Sequence, residues 1–313
     1  LCERSVLLGV VRPTSDGPLP HLNPPGDFVV TADDRFVHLA PSYDDTDMPE
    51  SASGPSWPRQ SPRVAQPAGL QRRVLILGWN SRVPALIHEF STYEKERFEV
   101  TILSTVSAAV RDRALGRYGI RESTVEVRHI EGDYAEVSDL DDVDPDGYDA
   151  VLLLSSDRRE GAGESDARTI VGWLLVQERG VPGRHTQGIL ELLDPDNERL
   201  VDQSEGEVIV SPLILSHMLA HIALRPELGA VFNELFTAGG AEITFAPLAD
   251  YVQDVEGDGT VLFRAIQRAA DARGEIALGV LSGGPERALQ LCPRPETRHD
   301  LEAAQVVTLL TYG

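Results

Sequence analysis

The chain has few of the residues that several classes of protein require. Its 313 residues include two cysteines, Cys2 and Cys292, in no zinc-ligand spacing, which fits a reducing compartment rather than a disulfide scaffold. No apolar run reaches the roughly 18 to 20 residues of a membrane span. The formal net charge of -22, from 28 Lys and Arg against 50 Asp and Glu, repels phosphate backbones and anionic lipid headgroups. We therefore expect no nucleic acid partner and no direct membrane binding.

Motifs that carry catalysis are also lacking. The sequence contains no serine in a nucleophile elbow, no phosphate-binding P-loop and no paired cysteine and histidine. We predict that the protein is not an enzyme and assign no catalytic residue.

The clearest feature that is present is an internal repeat. The first forty residues recur in weakened form at the end of the chain, at an offset of 269 or 270 residues. A strand, a proline-bearing loop and a closing strand are thus used twice. Since a piece this small cannot bury enough apolar surface alone, we expect residues 1–45 to be the end of a unit whose body lies upstream. The matching pairs are Leu8–Val10 with Leu278–Val280, Leu22–Pro24 with Leu291–Pro293, and Thr31–Leu39 with Leu301–Leu309.

Composition divides the rest of the chain. Residues 46–70 are rich in Pro, Ser and Asp without periodic apolar residues, which predicts a linker. Residues 71–203 alternate buried-type strands, such as Val74–Leu77 and Ala150–Leu154, with helical stretches. This alternation predicts a Rossmann-like, doubly wound parallel sheet in the α/β class. Residues 204–313 do not continue this alternation of strands and helices, and their pattern is typical of a smaller α+β lobe.

The turn after the first strand of the sheet is where a nucleotide would bind. It contains Gly78, Trp79 and Asn80, but Asn80 and Val83 replace the second and third glycines of the dinucleotide fingerprint. The second strand ends in hydroxyl residues instead of the acidic residue that binds ribose. We expect no NAD, and we retain Gly78, Trp79 and Asn80 as candidates for binding a different ligand.

Carboxylates follow several predicted strands and would meet at one rim of the sheet. Asp133 and Asp157 complete the candidate ligand-binding set. Close carboxylates repel one another unless a cation or Arg168 neutralises them, so a metal is one possibility. Helix capping by Asp166 and turn formation by Asp194 before Pro195 are the structural alternatives. The candidate metal ligands are Glu164, Asp166, Glu191 and Asp194.

Several stretches, in this order, resemble the cytosolic part of the CASTOR/POLLUX ion channels, whose gating ring consists of RCK (regulator of K+ conductance) domains. The sequence looks bacterial and matches plant-type members in patches from about Arg72 to the end. The stretches are Ile76–Trp79, Glu131–Asp133, Asp166–Thr169, Glu191–Pro195, Asn233–Phe236 and Gly240–Ile243.

The resemblance implies the C-terminal piece of a first RCK unit at 1–45, an RCK N-lobe at 71–203 and an RCK C-lobe at 204–313. It further implies a homo-oligomeric ring, a tetramer of tandem units, at the cytoplasmic face of the membrane and joined to an upstream transmembrane pore. Ca2+ is the implied effector. Helices at 211–237 are rich in leucine, so they either join units of the ring or fill the core of their own lobe.

Two other functions remain open on the sequence alone. The sheet could belong to a nucleotide sensor, for NAD or ATP, or to an oxidoreductase. The chain could equally be a scaffold that binds no small ligand. Our main prediction is a ligand-sensing regulatory domain of a cation channel.

Overall fold

The computed structural model describes most of the chain outside the predicted linker. Of that linker only Leu70 is described, and Cys2 also lies outside the described residues. Among the described residues the chain divides into two compact units, one formed by 65–223 and the other by 1–64 with 224–313. The described ranges are 5–42, 45, 70–93, 96–121, 124–157, 161–179, 186–201, 206–237, 240–252, 259–283, 287–301 and 303–311.

The unit at 65–223 contains a parallel sheet. Within its described residues six strands lie in the order β6-β5-β4-β7-β8-β9. The chain runs outward from β4 to β6 in one direction and from β7 to β9 in the other, so the topology reverses between β4 and β7. The strands are β4 (Leu70–Leu77), β5 (Glu96–Ser104), β6 (Val125–Glu131), β7 (Ala150–Leu153), β8 (Gln187–Leu192) and β9 (Glu207–Val210).

Helices cover both faces of this sheet. In β4, Leu75 and Leu77 pack in one apolar cluster, whereas Val74 and Ile76 pack in the other. Because both faces are buried, the strands are continuously apolar. The doubly wound prediction is therefore confirmed. One face carries α1 (Val83–Thr92) and α2 (Ala108–Leu115), and the other carries α3 (Val137–Val143) and α4 (Ala162–Arg179).

The predicted lobe boundary at residue 203 differs from the structure. β9 pairs in parallel with β8, and the helix that follows it, α5 (Ser211–Leu224), belongs to the same unit as far as residue 223. β9 has four residues and only Val210 among them is buried, whereas three of the four residues of β7 are buried.

The second unit combines both ends of the chain. Its described residues form antiparallel sheets in the orders β2-β1-β3, β10-β15-β12-β13 and β11-β14, with two helices. Its elements are β1 (Val6–Thr14), β2 (Gly17–Leu22), β3 (Arg35–Leu39), α6 (Leu228–Phe236), β10 (Ala241–Pro247), β11 (Thr260–Leu262), α7 (Phe263–Asp271), β12 (Ile276–Leu281), β13 (Leu289–Leu291), β14 (Arg298–Asp300) and β15 (Gln305–Thr311).

The sequence repeat reappears as a repeat of strand pairing. We call β1, β2 and β3 the front copy, and β12, β13 and β15 the back copy. Gly9 pairs with Val37, and 270 residues later Gly279 pairs with Val307; each pairing follows a register irregularity at the same place. In the hairpins, Gly9 opposes Leu22 and Gly279 opposes Leu291, an offset of 269 for the second strand.

Both copies turn in the same way after the second strand. Asn23 and Cys292 occupy equivalent positions with φ of 46° and 49°. Each donates its backbone N–H to the first strand, Asn23 to Leu8 O at 2.7 Å and Cys292 to Leu278 O at 2.9 Å. The two copies share one apolar core with α6, which includes Leu8, Val37, Leu278 and Val307.

Candidate functional site

The candidate site is the rim of the parallel sheet at the carboxyl ends of β4 and β7, where the topology reverses. Gly78 follows β4 and has a φ of 108°, and a Cβ atom there would lie 2.6 Å from the carbonyl oxygen of Leu154. The turn therefore needs glycine because it passes directly over the end of β7. Trp79 is buried and packs in the core with Val83 and Ile87, so its side chain is not exposed to a ligand at the rim.

Asn80 holds the centre of the rim together. Its side chain is buried, and Nδ2 donates to Ser155 O at 2.9 Å and to the Glu191 carboxylate at 3.2 Å. Its Oδ1 accepts from the backbone N–H of Arg82 at 2.9 Å. One amide thus joins the turn after β4 to the ends of β7 and β8.

Asp157 lies at the amino end of α1, where the phosphate of a nucleotide would lie in a dinucleotide-binding fold. Its carboxylate accepts from the backbone N–H of Ser81 at 2.7 Å. Burial alone would raise the pKa of Asp157, but the hydrogen bonds from Ser81, a backbone hydrogen bond of Asp157 itself and the charge of Arg82 together lower the pKa. A carboxylate of the chain itself therefore occupies a backbone donor that an anionic ligand would need.

Asp166 is a structural anchor in α4. It is fully buried, and its carboxylate accepts four hydrogen bonds, all at 2.9 Å, which leaves no oxygen directed at solvent. These bonds hold the loop after β8 against α4. The donors are Ser155 Oγ, the backbone N–H groups of Leu193 and Asp194, and Asn197 Nδ2.

Glu191, at the end of β8, links the rim to α5. Its buried carboxylate forms an ion pair with Arg82 at 2.8 Å and accepts from Asn80 and from the hydroxyl of Ser211, the first residue of α5. The buried charge is thus compensated by one cation and two neutral donors.

The carboxylates of the remaining predicted residues have other surroundings. Asp133, after β6, forms an ion pair with Arg168, whose guanidinium lies 5.3 Å from the centre of the Tyr134 ring. Arg168 therefore supplies the neutralising charge that the sequence suggested. Glu164 is exposed in the first turn of α4, and Asp194 accepts from Asp196 N at 3.0 Å, where it begins the short 3-10 helix Pro195–Leu200.

The structure does not bring three of the four predicted metal ligands to one point. Within the described residues no three side chains of His, Cys, Asp or Glu converge on a point that could hold a metal ion. The physical reason is that Asp166 and Asp194 bind backbone amides and Glu191 binds Arg82. The turn-forming alternative accounts for the geometry of Asp194. Asp166 does not cap a helix, because it lies within α4 and binds backbone N–H groups of the loop after β8.

Sequence reasoning did not identify the partners that complete the rim. Ser155 and Asn197 match no motif. Ser211 had a signal, because Ser followed by Pro at a helix start is typical of an N-terminal cap, but nothing linked it to Glu191.

Comparison with solved structures assigns the class of fold. The structure of the human SLO3 gating ring matches 98% of this chain and 61% of that chain, with a TM-score of 0.69 and 15% sequence identity. The fold is that of an RCK gating ring. In the described part of the chain no helix is both long and apolar enough to cross a membrane.

Curated relatives identify the kind of protein to which the chain is similar. The probable ion channel SYM8 of Pisum sativum is 24% identical over 319 residues, and the probable ion channel POLLUX of Arabidopsis thaliana is 24% identical over 313; each match covers 89% of this chain. The resemblance to CASTOR/POLLUX channels is thereby confirmed. The chain spans about a third of the length of these relatives, 34% and 37%. They are ion channels and not enzymes. No family model matches the chain.

Proposed function

We propose that this chain is a regulatory gating-ring domain of an ion channel. The observation that carries the proposal is the coincidence of two matches along nearly the whole chain, one in sequence to ion channels and one in fold to a gating ring. The rim supports it. The polar groups at the rim bind one another or neighbouring groups of the chain, as Asn80, Asp157 and Glu191 show. The chain itself therefore fills the position where a nucleotide would bind.

Assembly into a homo-oligomeric ring is the second part of the proposal. Helix α5 has 14 residues, all described, and none of them is buried despite its apolar sequence. An exposed apolar surface of this kind is typical of a protein contact. We propose that α5 contacts another copy in a ring, a tetramer of tandem units, at the cytoplasmic side of a membrane beneath the pore of the same polypeptide. The exposed apolar side chains of α5 are Leu213, Ile214, Leu215, Leu219 and Leu224.

The test of regulation is a chimaera. The matching region of the Arabidopsis relative is replaced by this chain, and single-channel currents are recorded in bilayers. A double variant of the chimaera carries Leu215→Asp and Leu219→Asp, which place charges on the proposed contact surface. The proposal expects its open probability to differ from that of the unchanged chimaera. Leu200→Asp, at another exposed leucine, is the matched control. Currents that are identical in all three proteins would contradict a regulatory role.

The effector is a separate question. Ca2+ is proposed on the resemblance and on the acidity of the chain. Calorimetry with CaCl2 and sedimentation with and without it should show heat and a change in assembly at millimolar concentration or below. Absence of both favours a scaffold without a small ligand. Stoichiometric binding of NAD(H) or ATP in equilibrium dialysis would instead favour the nucleotide sensor.

A further inference from the structure

The front copy has a surface cavity of about 440 Å³ beside the turn that leads into α6. Arg35 lies opposite Val11 where β3 pairs with β1, and Pro18 lies opposite Pro13 in the β1–β2 hairpin, so both pairings contribute to the wall. All of the lining residues belong to the unit that combines the two ends of the chain. A cavity of this size is within the range of small-molecule sites, roughly 300 to 1,000 Å³. Its lining includes Val11, Pro13, Pro18, Asp33, Arg35 and Glu227.

The ionisable side chains of the lining leave one negative charge without a partner. They are the carboxylates of Asp33 and Glu227 and the guanidinium of Arg35. Arg35 forms an ion pair with Glu227, whereas the exposed carboxylate of Asp33 has no ion-pair or hydrogen-bond partner among the described residues. A cation in the cavity can therefore pair with Asp33 without displacing any group of the described chain.

The rest of the lining fits an alkyl group better than an anion or a bare metal ion. Pro13 and Pro18 have no backbone N–H to donate to an anion, and Arg35 already binds Glu227. A single free carboxylate is also a weak site for a bare metal ion, which needs several oxygen ligands. The carbon atoms of Val11, Pro13 and Pro18 offer instead an apolar surface against which an alkyl chain can pack.

The back copy has the same strand pairing without these charges. Gln305 lies opposite Leu281 as Arg35 lies opposite Val11, at an offset of 270 residues. At the same offset, Ala303 stands where the front copy has Asp33. The pairing of the strands therefore requires neither charge, and the free carboxylate of the front copy is available for a ligand.

We propose that this cavity binds a small primary alkylamine in its ammonium form. The ammonium group pairs with the carboxylate of Asp33, and the alkyl chain lies against Val11, Pro13 and Pro18. The charge of Arg35 weakens this binding, because it opposes a second cation in the same cavity. The proposal depends on the cavity and its charges alone, so it can fail while the proposed channel function stands, and the reverse also holds.

The test compares three probes that share one alkyl chain: hexylammonium chloride, hexan-1-ol and sodium hexanoate. Each is titrated into the whole chain near neutral pH in about 0.15 M NaCl, which screens the general attraction of the acidic surface for cations. Binding is followed by the NMR shifts of the backbone amides of Thr14 and Gly17, which line the cavity. Hexylammonium should give saturating shifts and bind about tenfold or more tightly than hexanol, and hexanoate should bind more weakly than hexylammonium.

Two variants give the test opposite signs. Asp33→Asn should weaken hexylammonium binding about tenfold or more, whereas Asp27→Asn, the same charge change at an exposed residue outside the lining, should change it less than about twofold. Arg35→Gln, which gives the front copy the residue of the back copy, should tighten binding several-fold because it frees the carboxylate of Glu227.

Four results would overturn the proposal. They are hexylammonium shifts that do not saturate, equal binding of hexanol, equal effects of Asp33→Asn and Asp27→Asn, and weaker hexylammonium binding after Arg35→Gln. A preference for hexanoate that Arg35→Gln abolishes would assign the cavity to an anion instead.

Discussion

The front and back copies have the same strand pairing but different surroundings. Gly9 and Gly279 occupy equivalent sites, and Asn23 and Cys292 adopt the same left-handed backbone conformation. In contrast, the outer strand β10 and the covering helix α7 accompany the back copy alone among the described residues. Register is thus encoded locally, by a few backbone positions, whereas burial of the same strands depends on which elements lie next to them.

The shared core gives the largest expected effect. Leu8 and Leu278 are equivalent residues, 9% and 3% exposed, that belong to the one apolar cluster shared by the two copies. We expect Leu8→Ala and Leu278→Ala each to lower the free energy of unfolding by about 2 to 5 kcal/mol, measured by urea denaturation. The exposed Leu19→Ala and Leu289→Ala are controls within about 0.5 kcal/mol. If Leu278→Ala alone were destabilising, the front copy would not share the folding unit of the back copy.

The second largest effect is expected at Gly9 and Gly279, the glycines at the two register irregularities. A Cβ atom at Gly9 would lie 2.0 Å from His21 O, and one at Gly279 would lie 2.3 Å from Gln290 O. Since both oxygens are backbone atoms within a hairpin, neither can rotate away. Gly9→Ala and Gly279→Ala should each destabilise the fold by about 1 to 3 kcal/mol in thermal denaturation. Gly26→Ala, with open space around it, is the control, and a neutral result at either bulge would show that the register is not set there.

The same contrast explains how much of the fold the sequence could predict. β4, β5 and β7 were predictable because strands buried on both faces must be continuously apolar. β9 was not, because only one of its four residues is buried and its place in the sheet depends on pairing with β8. The repeat predicted the pairing of the front copy, but no property of residues 1–40 alone shows that their core is completed by Val231 of α6.

Prediction of the candidate site had the same limit. Strand ends in a parallel sheet converge, so the sequence could place Asp157, Asp166 and Glu191 near the rim. It could not tell which donors meet each carboxylate. Asp166 binds backbone amides 27 and 28 residues further along the chain, and any residue type could have supplied those groups. Backbone donors of this kind leave no trace in a sequence.

The front copy contains an ion pair at positions where the back copy has uncharged residues. Arg12 donates to both oxygens of Asp34, at 2.8 and 2.7 Å, and Thr31 N donates at 2.8 Å. The Arg12 guanidinium and the backbone N–H of Thr31 hold the pKa of Asp34 well below its usual range. The equivalent residues of the back copy, Ser282 and Ala304, carry no charge.

Acid should therefore weaken the front copy through this pair. Because the pKa is lower in the folded chain, the unfolded chain binds the proton first as pH falls. The stabilisation is complete above about pH 4, the pKa of an unperturbed Asp, and is lost below it. Asp34→Asn should lower the melting temperature at pH 7 and have a smaller effect at pH 2. Asp33→Asn, at an exposed neighbour, is the control; an equal effect of Asp34→Asn at both pH values would contradict the prediction.

The smallest expected effect concerns whether the front and back copies unfold together. The Cys292 thiol donates to the front-copy carbonyl of Leu39 at 3.1 Å, and burial raises its pKa. The thiolate is the form that attacks a thiol reagent, so the buried Cys292 should react only when the chain opens. In a Cys2→Ser background we expect its labelling rate to follow global unfolding across a urea series. Leu291→Cys combined with Cys292→Ser places the thiol at a 43% exposed neighbour and should react without unfolding. Labelling of Cys292 faster than global unfolding would mean that the front copy detaches while the back copy stays folded. The two copies would then be separate folding units.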